Sequence, residues 1–510
     1  MQCLSTVQVG RYLAAAALTV GVIAPSAAQA DINIVGSTHG QAYQGVANPV
    51  AGQAAASIPL SLCDAGGPTP ERYQNLANIT DLTDPTILIP AGNIVVWRCT
   101  RGGVPNFLFR YTGGFSAMAY NNVKAALGSP QSNFTSIVPG GTGCVAVAGN
   151  PKTDPGTGKQ YNSFQNCSQK ELVPANFATS DTKGTAFQPT MCDQSGTCAQ
   201  TILDTGVTSF PITATAFSVI VGNGVQKCDP NTKAAAGKIS LTRIQAEAIY
   251  TGTVSSWNQL GYCVYPVQPL NPPDASLGAG AGDMSPIGTP FNPGIDQSIV
   301  TCSRPVDAGT RINYDAIFQK DVRQISTGTI GPPFTGDINY LAPTVSDGLA
   351  CVQGRSAAPA SNANMNAITY NRADEAASPV AFGLGNVGRM RGGYPVAMDG
   401  VQPSNFTAPA VLSNPSDAER AASQKEFRCG RYIFWADWVG IQRNTPDANQ
   451  ALWNQYVAGI ATLLPKTQIG YFHARNLRQP GQPVNTEMFV QKADTKGPIT
   501  VNPGDHPACY

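Results

Sequence analysis

The sequence predicts an α/β protein of two domains. Its apolar segments alternate between strand-like runs and amphipathic helical runs, the pattern of βα units. At 510 residues and 53.2 kDa the chain exceeds what one hydrophobic core organises, so two domains are expected. Gly 52 and Pro 40 beside 42% hydrophobic residues describe a loop-rich globular chain, not a disordered one.

Residues 1–30 read as a secretory signal peptide. They carry Arg11, an apolar run from Leu13 to Ile23, and Ala-Gln-Ala ahead of Asp31, the charged, apolar and small-residue regions of such a signal. That run is too short to predict a membrane span. Asp31 to Gly36 (DINIVG) is then a short strand whose glycine turn, STHGQAY, opens a helix. Strands are expected over Ile87 to Thr100 and Phe107 to Gly114. Between Ser116 and Gly128 lies a helix, with serine at the N-cap and glycine at the end. The stretch 128–170 is rich in Gly, Pro, Ser and Asn and reads as a long ordered loop or insertion, with Cys144 and Cys167 as candidate staples.

Phe217 to Asn223 (FSVIVGN) is strand-like. Ser240 to Gly252 (SLTRIQAEAIYTG) is a short helix with a Ser start and a Gly stop. A second Gly/Pro-rich insertion covers 265–292. Ser298 to Arg304 is a strand, and TRINYDAIF the helix after it. Val380 to Gly388 reads as a buried strand, Tyr432 to Val439 is apolar, and Ala451 to Leu464 is an amphipathic helix. No fixed-period repeat is present.

Of 13 cysteines, only Cys3 precedes the cleavage site, and the remaining even number fits disulfide pairing in an oxidising compartment. Cys192 and Cys198 form the expected local pair. A metal cluster is not expected, because there is no CxxC and none of the three histidines lies near a cysteine pair. Charged residues make up 12%, against about 25% in an average soluble protein. Without Arg11 the basic and acidic residues balance. Nucleic acid is therefore an improbable partner, since binding it needs a basic face.

The stretch SRPVDAGTRINYDAIF, Ser303 to Phe318, places Arg304 and Asp307 before a glycine turn and a helix start. Two readings stand side by side. One is a loop with a single ion pair between Arg304 and Asp307. The other is an anion site that combines the arginine with the open N–H groups of the helix start.

The surrounding order of segments resembles the periplasmic phosphate-binding proteins of ABC importers. KISLTRIQAEAIYTGTVSSWNQLG (Lys238 to Gly261) is similar to that family's helix-and-turn segment ahead of its anion loop. Arg304, Ala308, Gly309 and Thr310 match the spacing of the loop itself. YTGGFSA places Ser116 at the family's ligand serine, FATSD places Asp181 at its ligand carboxylate, and IVGSTHG places Thr38 and His39 at its N-terminal ligand loop. The mature start Asp-Ile-Asn is also similar to the secreted DING phosphate binders of this superfamily. The resemblance covers about 60% of the mature chain by the extent of these segments, within a type II periplasmic-binding fold of typical two-domain size.

The resemblance implies domain I from 31–212 and 395–510, domain II from 213–394, and a ligand cleft between them. Thr38, His39, Ser116 and Asp181 would line one wall; Arg304, Ala308, Gly309 and Thr310 the other. It implies inorganic phosphate or a close oxyanion as ligand, an ABC importer permease as partner, no cofactor, and a periplasmic or extracellular location. An arginine fork, hydroxyls and helix N–H groups suit a tetrahedral oxyanion. A carboxylate, which only accepts, suits one that keeps a proton. The chain departs from the family at Ala308, where a serine is usual, and at Phe115, where a glycine is. For Thr38 an ordinary turn or cap role stays open, for His39 a loop histidine, and for Asp181 a solvent-facing turn.

The chain does not read as an enzyme. A secreted phosphatase would need a nucleophile with an acid or base, and neither a G-x-S-x-G elbow nor a histidine-rich set is present. A disulfide-stapled surface protein with a degenerate site is the remaining alternative, kept open by Ala308 and the long insertions.

Overall fold

A computed structural model gives the chain an α/β fold. It describes residues 31–37, 57–75, 94–154, 157–187, 205–266, 297–305, 307–318, 339–342, 366–373, 393–404, 417–462, 472–477, 485–492 and 499–501, with isolated positions at 40, 43–44, 348, 351–352 and 509. The signal peptide, Thr38, His39, Cys192, Cys198 and the strand expected over Val380 to Gly388 lie outside the described residues.

Two groups of strands share one long member. The first group contains β1 (Ile32–Ser37), β2 (Ile94–Arg101), β3 (Val104–Gly114) and β4 (Phe177–Ser180). Here β1 lies between β3 and β4 and parallel to both, with Ser37 opposite Gly114 and Gly36 opposite Thr179; β2 runs antiparallel to β3. The shared member is β5 (Val207–Gly222). Its sequence, VTSFPITATAFSVIVG, is rich in Val, Ile, Thr and Phe, the residues that fit a pleated surface buried on both faces. Pro211 is accommodated where the register shifts, between Pro211 and Thr213.

The second group contains β6 (Val300–Ser303), β7 (Asn339–Leu341), β8 (Ala367–Arg372) and β9 (Gly393–Met398). Strands β6, β7 and β8 are mutually parallel, and β8 and β9 pair antiparallel with the second half of β5. The first half of β5 pairs with β10 (Trp435–Arg443) and β11 (His473–Leu477), and β10 pairs antiparallel with β4.

These directions fix where the strand ends meet. Because β4 and β5 are both antiparallel to β10, the carboxyl ends of β1, β3 and β4 point along β5. Strand β8 is antiparallel to β5, so the carboxyl ends of β6, β7 and β8 point back. The two sets of ends therefore face each other near the middle of β5, where Phe217 pairs with Arg372.

Side-chain packing holds each group. On one face of the first group Trp97, Phe109, Trp438 and Trp453 are buried together, and Trp453 of helix Gln450–Thr462 stacks on Phe177 with ring centroids 4.7 Å apart. Against the other face lies α1 (Ser116–Lys124), whose Ala119, Tyr120 and Val123 meet Val35, Ala178 and Val439. The second group is covered by α2 (Arg243–Tyr250) and α3 (Gly309–Phe318), which bury Tyr250, Tyr314 and Phe318 with Trp257 and Phe434. Burying each such side chain contributes roughly 1.5–3 kcal/mol.

Several expectations are corrected. Of the two readings of 128–170, the plain loop gives way to an insertion with strands at Asn133–Ile137 and Gln160–Gln165, while Cys144 is bonded to Cys167 as expected. Ser116 is the first residue of α1 and not its cap; Phe115 takes the N-cap position, and the helix ends at Lys124 before Gly128. Helix α2 starts at Arg243, because Thr242 caps it through a reciprocal bond with Gln245; Ser240 and Leu241 form a short strand instead. Further disulfides join Cys63 to Cys99, Cys228 to Cys263, Cys302 to Cys351 and Cys429 to Cys509. Among the described residues, no helix is long and apolar enough to cross a membrane.

Candidate functional site

Ligands of open α/β sheets bind outside the carboxyl ends of parallel strands, where chain connections leave a crevice. Here the facing ends of the two groups carry a cluster of buried polar residues. Strand β3 ends in Gly113 and Gly114, the chain turns at Phe115, and α1 begins at Ser116, which is 1% exposed. The Ser116 Oγ accepts a hydrogen bond from the Asp181 N–H at 3.2 Å, so its own proton remains to be donated. Asp181, 9% exposed, follows the end of β4. Its backbone carbonyl accepts from Asn313 Nδ2 on α3 at 2.9 Å.

The opposite side is the first turn of α3. A Cβ built on Gly309 would stand 2.4 Å from Ser116 Oγ and 2.7 Å from the Asp181 Cβ, so only glycine permits this approach. The α1 N–H of Ala117 donates to the Asp307 carbonyl at 3.4 Å. Two helix amino ends thus converge on one place, each with N–H groups that have no intrahelical acceptor. Ala308 is 4% exposed and accepts, through its carbonyl, from Arg311 N–H at 3.0 Å and Ile312 N–H at 3.1 Å. Its methyl group offers no donor. Thr310 is 5% exposed, and its Oγ1 has no hydrogen-bond partner among the described residues.

Arg304 leaves the end of β6 and is 6% exposed. Its guanidinium Nη1 donates to the Ala342 carbonyl at 3.1 Å, just past β7. Its backbone is gripped on both sides: the N–H donates to Tyr370 Oη at 3.1 Å, and the carbonyl accepts from Arg311 Nη1 at 3.2 Å. Arg311 in turn pairs through Nε with Asp315 one turn along α3, both 1% exposed.

Ser116, Asp181 and Gly309 are therefore in direct contact, Ala308 and Thr310 flank Gly309, and Arg304 is anchored behind the same turn. Thr38 and His39 lie outside the described residues. Their neighbours Ser37 and Gly40 border Tyr111: its hydroxyl donates to the Ser37 carbonyl and lies 3.0 Å from Thr179 Oγ1. Burial pushes the Tyr111 hydroxyl well above its ordinary pKa; the Asp181 carboxylate raises it further, whereas the Arg372 guanidinium opposes the rise. Both charged groups thus act on one hydroxyl at the meeting of the strand ends.

Sequence reasoning missed Tyr111, Asn313, Tyr370, the Arg311–Asp315 pair and Arg372. Asn313 had a signal, since it stands one turn beyond Gly309 on the same helix face. Tyr370 and Arg372 had none without the β6–β8 pairing. Burial pushes Asp315 up to about 6, against the pull of Arg311. Burial also pushes Tyr370 up to about 12, with Arg311 opposing, so this phenol keeps its proton throughout the physiological range.

No protein-family model and no curated protein matches the sequence. Among solved structures, the chain is similar to a Clostridium perfringens protein described as a phosphate ABC transporter substrate-binding protein with bound phosphate. That match has 16% identity and a TM-score of 0.28, and it covers 50% of this chain and 66% of the other. An ABC-type phosphate transport receptor from Vibrio cholerae matches at 12% identity and a TM-score of 0.30, over 57% of this chain and 77% of its own. A phosphate-binding protein from Stenotrophomonas maltophilia matches at 13% identity and a TM-score of 0.27, over 57% and 69%.

Proposed function

We propose that this chain is an exported solute-binding protein that captures inorganic phosphate, or a closely related oxyanion, between two lobes. The lobes are 31–212 with 395–510, and 213–394; β5 and its partners are the crossing between them. The observation that carries the reading is the direct contact of Ser116, Asp181 and Gly309 at the facing strand ends, beside the helix amino ends. A buried oxyanion needs many donors. The first-turn N–H groups, the Ser116 and Thr310 hydroxyls and the Arg304 fork supply them.

Asp181 accounts for selectivity, because its carboxylate accepts a hydrogen bond from a protonated phosphate oxygen and repels a fully ionised anion. Thr38 and His39 complete the wall on the β1 side in this reading. Delivery to an importer permease is its continuation. The disulfides agree with folding outside the cytoplasm.

Titration calorimetry of the mature chain tests the proposal. Phosphate is expected to bind at one site and sulfate far more weakly. Absence of heat and of any thermal shift with phosphate, arsenate and sulfate would end it.

A further inference from the structure

The proposed ligand arginine is held by a second, wholly buried polar group. Arg311 donates through Nη1 to the Arg304 carbonyl at 3.2 Å and through Nε to Asp315, and Tyr370 Oη accepts the Arg304 N–H at 3.1 Å. Arg311 and Asp315 are each 1% exposed, and Tyr370 also 1%. A buried ion pair of this kind is seldom justified by stability, since desolvation offsets most of the Coulomb gain. Here the pair holds the Arg304 carbonyl while Tyr370 holds the Arg304 N–H, so the Arg304 backbone is fixed on both sides.

We propose that Arg311 and Asp315 are positioning residues for oxyanion capture, with the Asp315 carboxylate locking Arg311 onto the Arg304 carbonyl so that affinity falls when Asp315 takes up a proton. The inference rests on the proposed phosphate-binding reading. Among the described residues, the groups that face Asp315 include Arg311 and Tyr314 on its own helix, Tyr250 of α2, and Tyr370 of β8, with Arg304 beyond. Burial pushes the three phenols up and both arginines stay charged, so Asp315, raised to about 6, is the member of this set that titrates between pH 5 and 8.

Two effects of protonation oppose each other, which makes the role testable. Neutralising Asp315 adds net positive charge near the site, which by itself strengthens anion binding. Loosening Arg311 lets the Arg304 peptide shift, which weakens it, and misplacing a bidentate donor is costly. The positioning role requires that the second effect wins.

The experiment compares wild-type protein with Asp315→Asn, measuring phosphate affinity from pH 5 to pH 8; phosphate's own titration cancels in the ratio at each pH. At pH 8 the variant is expected to bind about tenfold more weakly, a loss of about 1.4 kcal/mol, and the ratio is expected to approach one as pH falls through 6. Equal affinities at pH 8, or tighter binding by the variant, overturn the inference while leaving the phosphate reading intact. Wild-type protein that binds no oxyanion at any pH overturns both. If Asp315→Asn does not fold, the double variant Arg311→Gln/Asp315→Asn, which buries no charge, gives the same reading: weak binding at pH 8 supports the role, and wild-type affinity overturns it.

Discussion

Gly309, the first residue of α3, packs on the hydroxyl of Ser116, the first residue of α1, with no room for a methyl group between them. A Cβ at that position would also meet the Asp181 side chain at 2.7 Å. Neither obstacle is a flexible chain end: the Ser116 hydroxyl already holds the Asp181 N–H. Gly309→Ala therefore forces the two helix ends apart. Overpacking of this kind costs about 1–3 kcal/mol, and the variant is expected to melt lower and to bind phosphate at least tenfold more weakly. Calorimetry with thermal unfolding checks this, and a variant with unchanged affinity contradicts a site at this contact.

Arg304→Ala separates the binding proposal from a purely structural role. Removing the guanidinium frees the Ala342 carbonyl, which costs stability by about 1–3 kcal/mol. A buried charge-assisted contact to a ligand costs more, about 2–5 kcal/mol. Phosphate affinity is thus expected to fall at least 30-fold while the protein remains folded at 25 °C. The same affinity in a correctly folded variant would show that Arg304 is only a strand-end anchor.

Asp181→Asn should change which anion is preferred. The amide offers donors where the carboxylate could only accept, and it removes a negative charge. Sulfate is expected to gain on phosphate by at least tenfold, read from paired titrations at one pH. An unchanged preference would remove Asp181 from the selectivity argument, although its backbone contacts with Ser116 and Asn313 would stand.

Ser116, Asp181 and Gly309 were legible as site residues through the family resemblance of YTGGFSA, FATSD and the loop from Arg304 to Thr310, and the turns that bear them are also marked locally. Ser116, Asp181 and Gly309 each follow a strand or open a helix, and Gly/Ser/Asp turns after apolar runs are readable locally. The α/β class followed from alternation in the same way. What was not legible depends on pairing between distant segments. Phe217 opposite Arg372 and Thr301 opposite Ile368 bring Tyr370 and Arg372 to the site, yet ITYNR alone carries no sign of it. The first half of β5 was missed because Pro211 and scattered threonines interrupt an otherwise strand-like run, and register irregularity absorbs them. Ser116 was misread as a cap because a serine before an apolar helix is usually one; its bond to Asp181 is a tertiary preference that overrides the local one.

Lys492 provides a pH-dependent test of the packing beside β10. Lys492 is 6% exposed, and its ammonium group donates to the carbonyls of Trp435 at 2.7 Å and Ile433 at 3.0 Å, above the Trp435 ring at 4.3 Å. Burial lowers its pKa to about 7, with Asp437 resisting and Arg243 reinforcing the drop. The folded value lies below the unfolded one of about 10.4, so between them the unfolded chain binds more protons. Stability must then rise with pH across that window, by at most about 1.4 kcal/mol per pH unit, and the penalty is full below pH 7, where both states are charged. Lys492→Met removes this contribution. The difference between the urea midpoints of wild-type and variant protein, measured between pH 6.5 and 9.5, is expected to shift steadily in favour of the wild type as pH rises. A constant difference would mean that Lys492 keeps an ordinary pKa despite its burial, stabilised by the two carbonyls and the indole face.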